Sequence, residues 1–177
     1  ERFGVVNELP RYLPMALGAG ETTLLRMAAA YAMIVNGGKH IEPALIERIQ
    51  DRNGATVYRR DSRPCDECAI SRWSGQPVPR VPDGRARVVG ADTAYQMVWI
   101  MRGVIERGTG RRIREPGKPL AGKTGTTNEN KDAWCIGFSP DLVAGVCIGS
   151  DQPQPMGYTA TGARAAVPAR QRSSAQP

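Results

Sequence analysis

The segment Lys123-Thr124-Gly125-Thr126 joins a cation, two hydroxyls and a residue without a side chain, immediately before an apolar hairpin. Side chains alternate along an extended strand, so Thr124 and Thr126 share one face and Lys123 lies on the other. If this strand is the edge of a sheet, its free backbone amides point at a ligand lying alongside, and Gly125 lets that ligand come close. The segment therefore predicts an edge strand that binds a carboxylate-bearing ligand.

Two apolar segments follow, at residues 133–138 and 142–149, and predict a β-hairpin joined through Ser139-Pro140-Asp141. A turn centred on Asp141 places Cys135 opposite Cys147. The other residues expected on that face are small: Ala133, Gly137, Gly145 and Gly149. We expect a helix close against this face, and the bulky residues in the core on the other side: Trp134, Ile136, Phe138, Val146 and Ile148. Three antiparallel strands sandwiched by helices make the predicted fold class α+β.

Two helices are predicted. Thr22 or Thr23 caps the first, over residues 24–35, which is apolar on nearly every side and so expected to be buried, with Asn36-Gly37-Gly38 as a left-handed exit. Asp92 is expected to cap the second, which Gly108 ends. Its predicted apolar stripe comprises Tyr95, Val98, Met101, Val104 and Ile105.

The region between the helices predicts a second hairpin. Residues 43–50 and 55–60 flank the turn signal Asp51-Arg52-Asn53-Gly54. A loop over residues 65–84 follows. Within it, Cys65-Asp66-Glu67-Cys68 is half of a possible zinc site, but no second C-x-x-C exists, and in an oxidising compartment a local disulfide is favoured.

Composition limits the function classes. The chain has 177 residues, 41% of them hydrophobic, and a net charge of +7. Arginines are scattered and not interleaved with aromatic residues, so no nucleic-acid partner is expected. The longest apolar run, residues 27–35, is too short to span a membrane. The chain starts at Glu1 rather than Met, so we expect a fragment, with any anchor or export signal upstream.

A phosphate loop competes for the same residues. Gly117-Lys118-Pro119-Leu120-Ala121-Gly122-Lys123-Thr124 satisfies the G-x-x-x-x-G-K-[ST] pattern of nucleotide-binding enzymes. Such a loop needs an apolar strand before it and a helix after it. The lead-in at residues 110–116 is highly charged, and the exit at residues 125–130 has no helical periodicity. Nucleotide binding through Gly117 to Thr124 therefore stays the alternative.

The chain resembles the transpeptidase domain of penicillin-binding proteins. The K-T-G signature at Lys123, with Thr126-Thr127, Asp132-Ala133-Trp134 and the hairpin to Gly149, is similar to the last three sheet strands of that domain. Further stretches resemble its bifunctional, class A members: residues 17–23, Asn36-Gly37-Gly38, residues 104–110 and residues 160–166. The resemblance covers most of residues 1–168, which we interpret as the C-terminal part of a transpeptidase domain, incomplete at its start.

The resemblance implies a D,D-transpeptidase that cross-links peptidoglycan stem peptides and is acylated by β-lactam antibiotics. It implies that Lys123 is catalytic, supplying positive charge to the substrate carboxylate and the hydrogen-bond network. Thr124, Gly125 and Thr126 bind substrate, and the amide of Thr126 completes the oxyanion hole. No metal or cofactor is implied. The implied location is the periplasmic face of the inner membrane, through an anchor outside this chain.

Two departures from the family matter. The family's nucleophile lies in S-x-x-K and its second motif is S-x-N, but no serine of this chain has Lys three residues on or Asn two residues on. We therefore expect the chain to be inactive without the upstream part of the same protein. A non-catalytic module that binds cell wall is the remaining alternative. Residues 169–177 are polar and predict a disordered tail.

Overall fold

The computed structural model describes residues 1–65, 68, 72, 74–113, 117–157 and 160–166. The chain divides into two units, one of Glu1–Ile41 with Arg87–Pro177 and one of Glu42–Ala86. The predicted disordered tail, residues 169–177, lies outside the described residues. Within those residues, no helix is both long and apolar enough to cross a membrane.

The smaller unit holds the predicted second hairpin. Strands β1 (Arg48–Gln50) and β2 (Thr56–Arg59) pair antiparallel. The Asp51 carboxylate accepts hydrogen bonds from the amides of Asn53 and Ala55 at 2.8 and 2.9 Å, which fixes the turn between them. The hairpin is confirmed, although both strands are shorter than the sequence predicts.

The same unit contains a disulfide between Cys65 and Cys68. Its two sulfur atoms are therefore not thiolates that bind zinc, and the disulfide that the sequence favours over a metal site is confirmed.

Helix α1 (Leu24–Val35) has the predicted bounds and cap. The Thr23 hydroxyl accepts a hydrogen bond from the Arg26 amide at 3.3 Å. The expectation that this helix is buried all round is wrong, because Leu25 is 58% exposed. One side alone is buried, through Ala29, Ala30 and Met33.

Helix α2 (Ala91–Glu106) begins two residues earlier than predicted. Its N-cap is Gly90, so the prediction that Asp92 caps it is wrong; Asp92 lies in the first turn, where a carboxylate still faces the positive end of the helix dipole. Met101 and Ile105 of the predicted stripe are buried. Tyr95 is 68% exposed, so its assignment to the buried face is wrong.

Three strands form the sheet that carries the predicted site: β3 (Ala121–Thr126), β4 (Ala133–Phe138) and β5 (Val143–Ile148). Their order is β3-β4-β5, and both pairings are antiparallel. Helices α1 and α2 pack against this sheet, so the fold is α+β, an antiparallel sheet flanked by helices, as predicted.

The register between β4 and β5 differs from the prediction by one residue. Cys135 pairs with Val146, and Trp134 pairs with Cys147. The hairpin closes through the Ser139 amide, which donates to the Leu142 carbonyl at 2.9 Å, so the loop has an even number of residues and no residue at its centre. A shift of one residue reverses the faces of a strand. The predicted pairing of Cys135 with Cys147 is therefore wrong.

This register distributes bulk over both faces of the sheet. Val146 and Ile148 lie on the Cys135 face, where they pack with Ile105, Ile113 and Leu120. The opposite face packs Phe138 and Ala121 against Met101, together with α1 residues. The prediction that the Cys135 face carries only small residues is therefore wrong.

The close helix contact that was expected on the bare face occurs on the Trp134 face instead, at Gly145. A β-carbon at Gly145 would lie 2.9 Å from the Leu24 Cδ1 atom. Helix α1 therefore packs close to the sheet where β5 has no side chain.

Candidate functional site

Strand β3 presents a free edge in the described part of the chain, since it pairs with β4 alone. Pairs in an antiparallel ladder alternate between hydrogen-bonded and non-hydrogen-bonded. The Thr127 amide donates to the Asp132 carbonyl at 3.1 Å, one step beyond the last pair of the β3–β4 ladder. The alternation then directs the N–H groups of Thr124 and Thr126 away from β4. The amides of Thr124 and Thr126 therefore both point outward from the free edge.

The predicted alternation of side chains is present in β3. Thr124 and Thr126 pair with Cys135 and Ala133, so they share a face, whereas Lys123 pairs with Ile136 on the other. Lys123 is exposed, and its Nζ atom donates to the carbonyl oxygen of Thr124. The ammonium group is thus held beside the edge where the outward amides lie.

Both threonine hydroxyls contact other parts of the chain. Thr124, 8% exposed, has its Oγ1 atom 2.7 Å from that of Thr109. The Thr126 Oγ1 atom accepts a hydrogen bond from the Gly162 amide at 3.1 Å. The hydroxyls that the sequence assigns to substrate are therefore each fixed by a residue from another element.

Gly125 leaves space on the Lys123 side of the strand. A β-carbon added there would meet only the Trp134 Cβ atom, at 3.4 Å, and Gly125 is not among the glycines with positive φ. The backbone therefore tolerates a larger residue at this position. The missing side chain instead leaves room for a ligand beside Lys123.

The loop from β3 to β4 is fixed at its centre. Glu129 and Asn130 have φ values of 62° and 54°, a left-handed conformation that is costly for residues other than glycine. The Asn130 carbonyl accepts from the Met156 amide at 3.2 Å, which ties the loop to a downstream segment. Lys131 lies 2.8 Å from the Glu129 carboxylate and lowers the pKa of that carboxyl group.

The phosphate-loop alternative does not fit this geometry. Lys123 and Thr124 lie within strand β3, and the chain after Thr126 enters a short 3₁₀ turn at Asn128–Asn130 before β4. Residues 117–157 contain no α-helix after Lys123, so the helix amides and dipole that hold phosphates in such enzymes are absent from this described stretch. The nucleotide-binding interpretation is therefore wrong.

No other cluster among the described residues competes with the β3 edge. They contain no group of three or more His, Cys, Asp or Glu side chains arranged to hold a metal ion. A shallow groove of about 360 Å³ is lined by Tyr95, Gln96, Trp99 and Ile100 of α2. It contains neither a titratable pair nor any K-T-G residue, so the β3 edge stays the candidate functional site.

The sequence did not assign Thr109 or Gly162 to the site. Both lie in stretches that resemble the family, but their contacts join residues 15 and 36 positions apart. No local periodicity encodes such a contact. The nearest signal in the sequence is that each residue stands in a Thr-Gly pair, Thr109-Gly110 and Thr161-Gly162.

Comparisons with known proteins agree on one family. Residues 11–170 match the penicillin binding protein transpeptidase domain. The chain is 44% identical over 170 residues to penicillin-binding protein 1A of Rickettsia prowazekii, covering 95% of this chain and 22% of the relative. It is 43% identical over 169 residues to penicillin-binding protein 1A of Neisseria gonorrhoeae, covering 94% and 19%.

The fold shows the same relationship. The crystal structure of penicillin-binding protein 1A from Haemophilus influenzae superposes with a TM-score of 0.76 at 26% identity, over 99% of this chain and 30% of that one. The chain thus spans about a fifth to a third of the proteins that it matches. With the family matched over 160 residues, from 11 to 170, the chain belongs to the penicillin-binding protein transpeptidase domain family.

Proposed function

We propose that this chain forms the K-T-G part of a D,D-transpeptidase that cross-links peptidoglycan stem peptides and is acylated by β-lactams. One observation carries the proposal: outward amides and an ammonium group lie together on a strand edge that pairs with no other strand among the described residues. A peptide with a terminal carboxylate can pair with such an edge by strand addition, with its negative charge near Lys123.

The proposed reaction is acyl transfer through a serine supplied by sequence outside these 177 residues. The serine oxygen bonds to the carbonyl carbon between two terminal D-alanines, and the C–N bond breaks as the last D-alanine leaves with a proton on its amine. An amine of a second stem peptide then displaces the serine oxygen and forms the cross-link. A β-lactam acylates the same serine by opening its ring.

The last four residues of β3 each have a proposed role in that reaction. Lys123 supplies positive charge to the substrate carboxylate and the proton-transfer network. The hydroxyls of Thr124 and Thr126 donate to the carboxylate, and Gly125 leaves room for the peptide. The outward amide of Thr126 donates to the developing oxyanion, where one such donor is typically worth a few kcal/mol.

We also infer that the chain alone is not acylated, because none of its serines precedes a lysine by three positions. Its proposed partner is therefore the upstream part of the same protein. The proposed location is the periplasmic face of the inner membrane, held there by an anchor outside this chain. The Cys65–Cys68 disulfide supports an oxidising compartment.

A chimera tests the proposal. This chain replaces the matching segment of the Rickettsia relative, to which it is 44% identical, and the purified protein is incubated with fluorescent penicillin. We expect covalent labelling of the chimera and none of the isolated chain. Two chimeras are made, in which the sequence of the relative changes to that of this chain after residue 10 or after residue 23. The second chimera is used if the first does not fold.

The relative itself, labelled in parallel, is the positive control. A folded chimera that takes no label overturns the proposal. If that unlabelled protein is still retained by purified peptidoglycan, the chain is a binding module without acyl-transfer activity. Labelling of the isolated chain would contradict the inference that its nucleophile lies elsewhere.

A further inference from the structure

We propose that Thr109 and the backbone amide of Gly162 are positioning groups, which turn the hydroxyl protons of Thr124 and Thr126 toward the substrate carboxylate. The inference rests on the proposed function, because it requires a carboxylate ligand at the β3 edge. Two hydrogen bonds carry it, one at each threonine, at 2.7 and 3.1 Å.

The direction of the bond at Thr126 is fixed by chemistry. A backbone N–H can only donate, so the Thr126 Oγ1 atom is the acceptor from Gly162. The hydroxyl has a single proton, which is not used in accepting. Thr126 is exposed, so this proton is available to an acceptor outside the chain.

The direction of the bond at Thr124 is set when an anion binds. Either threonine can donate in the Thr109–Thr124 pair. A carboxylate can only accept, so a bound carboxylate takes the Thr124 proton, and Thr109 must then donate to Thr124. The result is a chain of donors that runs from Thr109 through Thr124 to the ligand, in which each bond strengthens the next.

Thr109 is held rigidly enough for this role. It lies in the turn that ends α2, where the Gly110 amide donates to the Val104 carbonyl at 2.9 Å. The turn is anchored on both sides in the core, through Ile105 and Ile113. Thr109 itself is exposed, so water can form the remaining hydrogen bond of its hydroxyl group, whether Thr109 donates to Thr124 or accepts from it.

Gly162 is held by contact with the sheet backbone. A β-carbon at this position would lie 2.4 Å from the Trp134 carbonyl oxygen and 2.5 Å from that of Gly125. Only glycine fits so close to the ladder. The amide therefore keeps a fixed distance from β3, and with it from the Thr126 hydroxyl.

The test compares two ligands that differ in the carboxylate. Acylation rate constants of the chimera are measured with benzylpenicillin and with its methyl ester, which has no negative charge. We expect Thr109→Val to slow benzylpenicillin about 10-fold, the usual effect of losing one hydrogen bond near a charge, and to leave the ester nearly unchanged. Thr109→Ser restores the hydroxyl and should restore the ratio of the two rates.

A double-mutant cycle supplies a second measurement. Thr109→Val added to Thr124→Val should cause no further loss with benzylpenicillin, because the donor chain is already broken. Equal slowing of both ligands by Thr109→Val, or full additivity in the cycle, would overturn the inference. A folded, unmodified chimera that is not acylated by either ligand refutes the proposed function itself, and the two failures are thereby distinguished.

Discussion

The two outer strands of the same sheet, β3 and β5, have opposite compositions. Strand β3 contains Lys123, two threonines and two glycines, and its outward amides are beside a cation. Strand β5 reads Val-Ala-Gly-Val-Cys-Ile, with no charge and no proline, yet in the described residues it also pairs on one side only. Charges, prolines and β-bulges protect an edge from pairing with other chains, and β5 has none of the three.

This difference in composition indicates that the β3 edge can select its binding partner and that the β5 edge cannot. In the proposed function, a ligand strand on β3 would meet a positive charge and two hydroxyls, so that its carboxylate is recognised as well as its backbone. Strand β5 offers backbone groups and apolar side chains alone, which is the composition of an interior strand. Four experiments test this comparison.

Removing the charge from the β3 edge should have the largest effect. Lys123→Ala is expected to slow acylation of the chimera by roughly 10²-fold or more, because the carboxylate loses its counter-charge. Fluorescent-penicillin kinetics measure the change. Lys118→Ala, an exposed lysine before the strand, is the matched control, and equal slowing by both variants would refute a specific role for Lys123.

Substitutions at two glycines should separate an effect on the stability of the sheet from an effect on ligand acylation. Gly162→Ala places a methyl group against two carbonyl oxygens and is expected to lower the unfolding free energy of the 177-residue chain by about 1–3 kcal/mol. Gly125→Ala meets only ordinary contacts and should leave stability within about 0.5 kcal/mol. Urea denaturation measures both. In the chimera, Gly125→Ala should still slow acylation. A larger loss of unfolding free energy from Gly125→Ala than from Gly162→Ala would contradict this account.

A charge added to β5 should act on association alone. We expect the isolated chain to self-associate through this apolar edge, and Cys147→Lys, at an exposed position, to reduce that association without lowering the melting temperature. Sedimentation velocity at increasing concentration measures it. Cys147→Ser removes the thiol without adding charge, so an equal effect of both variants would implicate a disulfide between chains instead.

The smallest expected effect is a pH dependence at the loop that follows β3. The Lys131 ammonium lowers the pKa of Glu129, so the pair stabilises the fold above the ordinary pKa of a glutamate. That contribution is lost as the pH falls through the lowered folded pKa. Glu129→Gln should therefore flatten the fall of melting temperature in acid, and the effect should be small because the Glu129 carboxylate is exposed. Asp141→Asn, which removes a carboxylate from the loop between β4 and β5, is the control, and an equal flattening by both variants would refute a specific role for the Glu129–Lys131 pair.

Local patterns in the sequence predict much of the β3 edge. Alternation alone places Thr124 and Thr126 opposite Lys123, and a capping threonine fixes the start of α1 at Leu24. The hairpin register was missed because Ser139-Pro140-Asp141 allows an odd or an even loop, and one hydrogen bond decides between them. The cap of α2 was missed because a carboxylate is also favourable inside the first turn.

The contacts that support the site were beyond such patterns. Thr109 and Gly162 reach β3 from the end of a helix and from a segment beyond β5. Their positions follow from how elements pack in three dimensions, and a pattern of spacing describes one element at a time. The resemblance marked both stretches as part of the family but did not say which residue in them touches the site.

The amide of Gly162 lies well downstream of the K-T-G signature in the sequence. A premature stop codon or frameshift shortly after residue 157 would keep Lys123-Thr124-Gly125-Thr126 and all three strands, yet remove the donor to Thr126 and the backbone packed on the ladder. A genome survey that scores alleles by their signature motifs would count such a gene as intact, although the encoded strand would have lost part of its support.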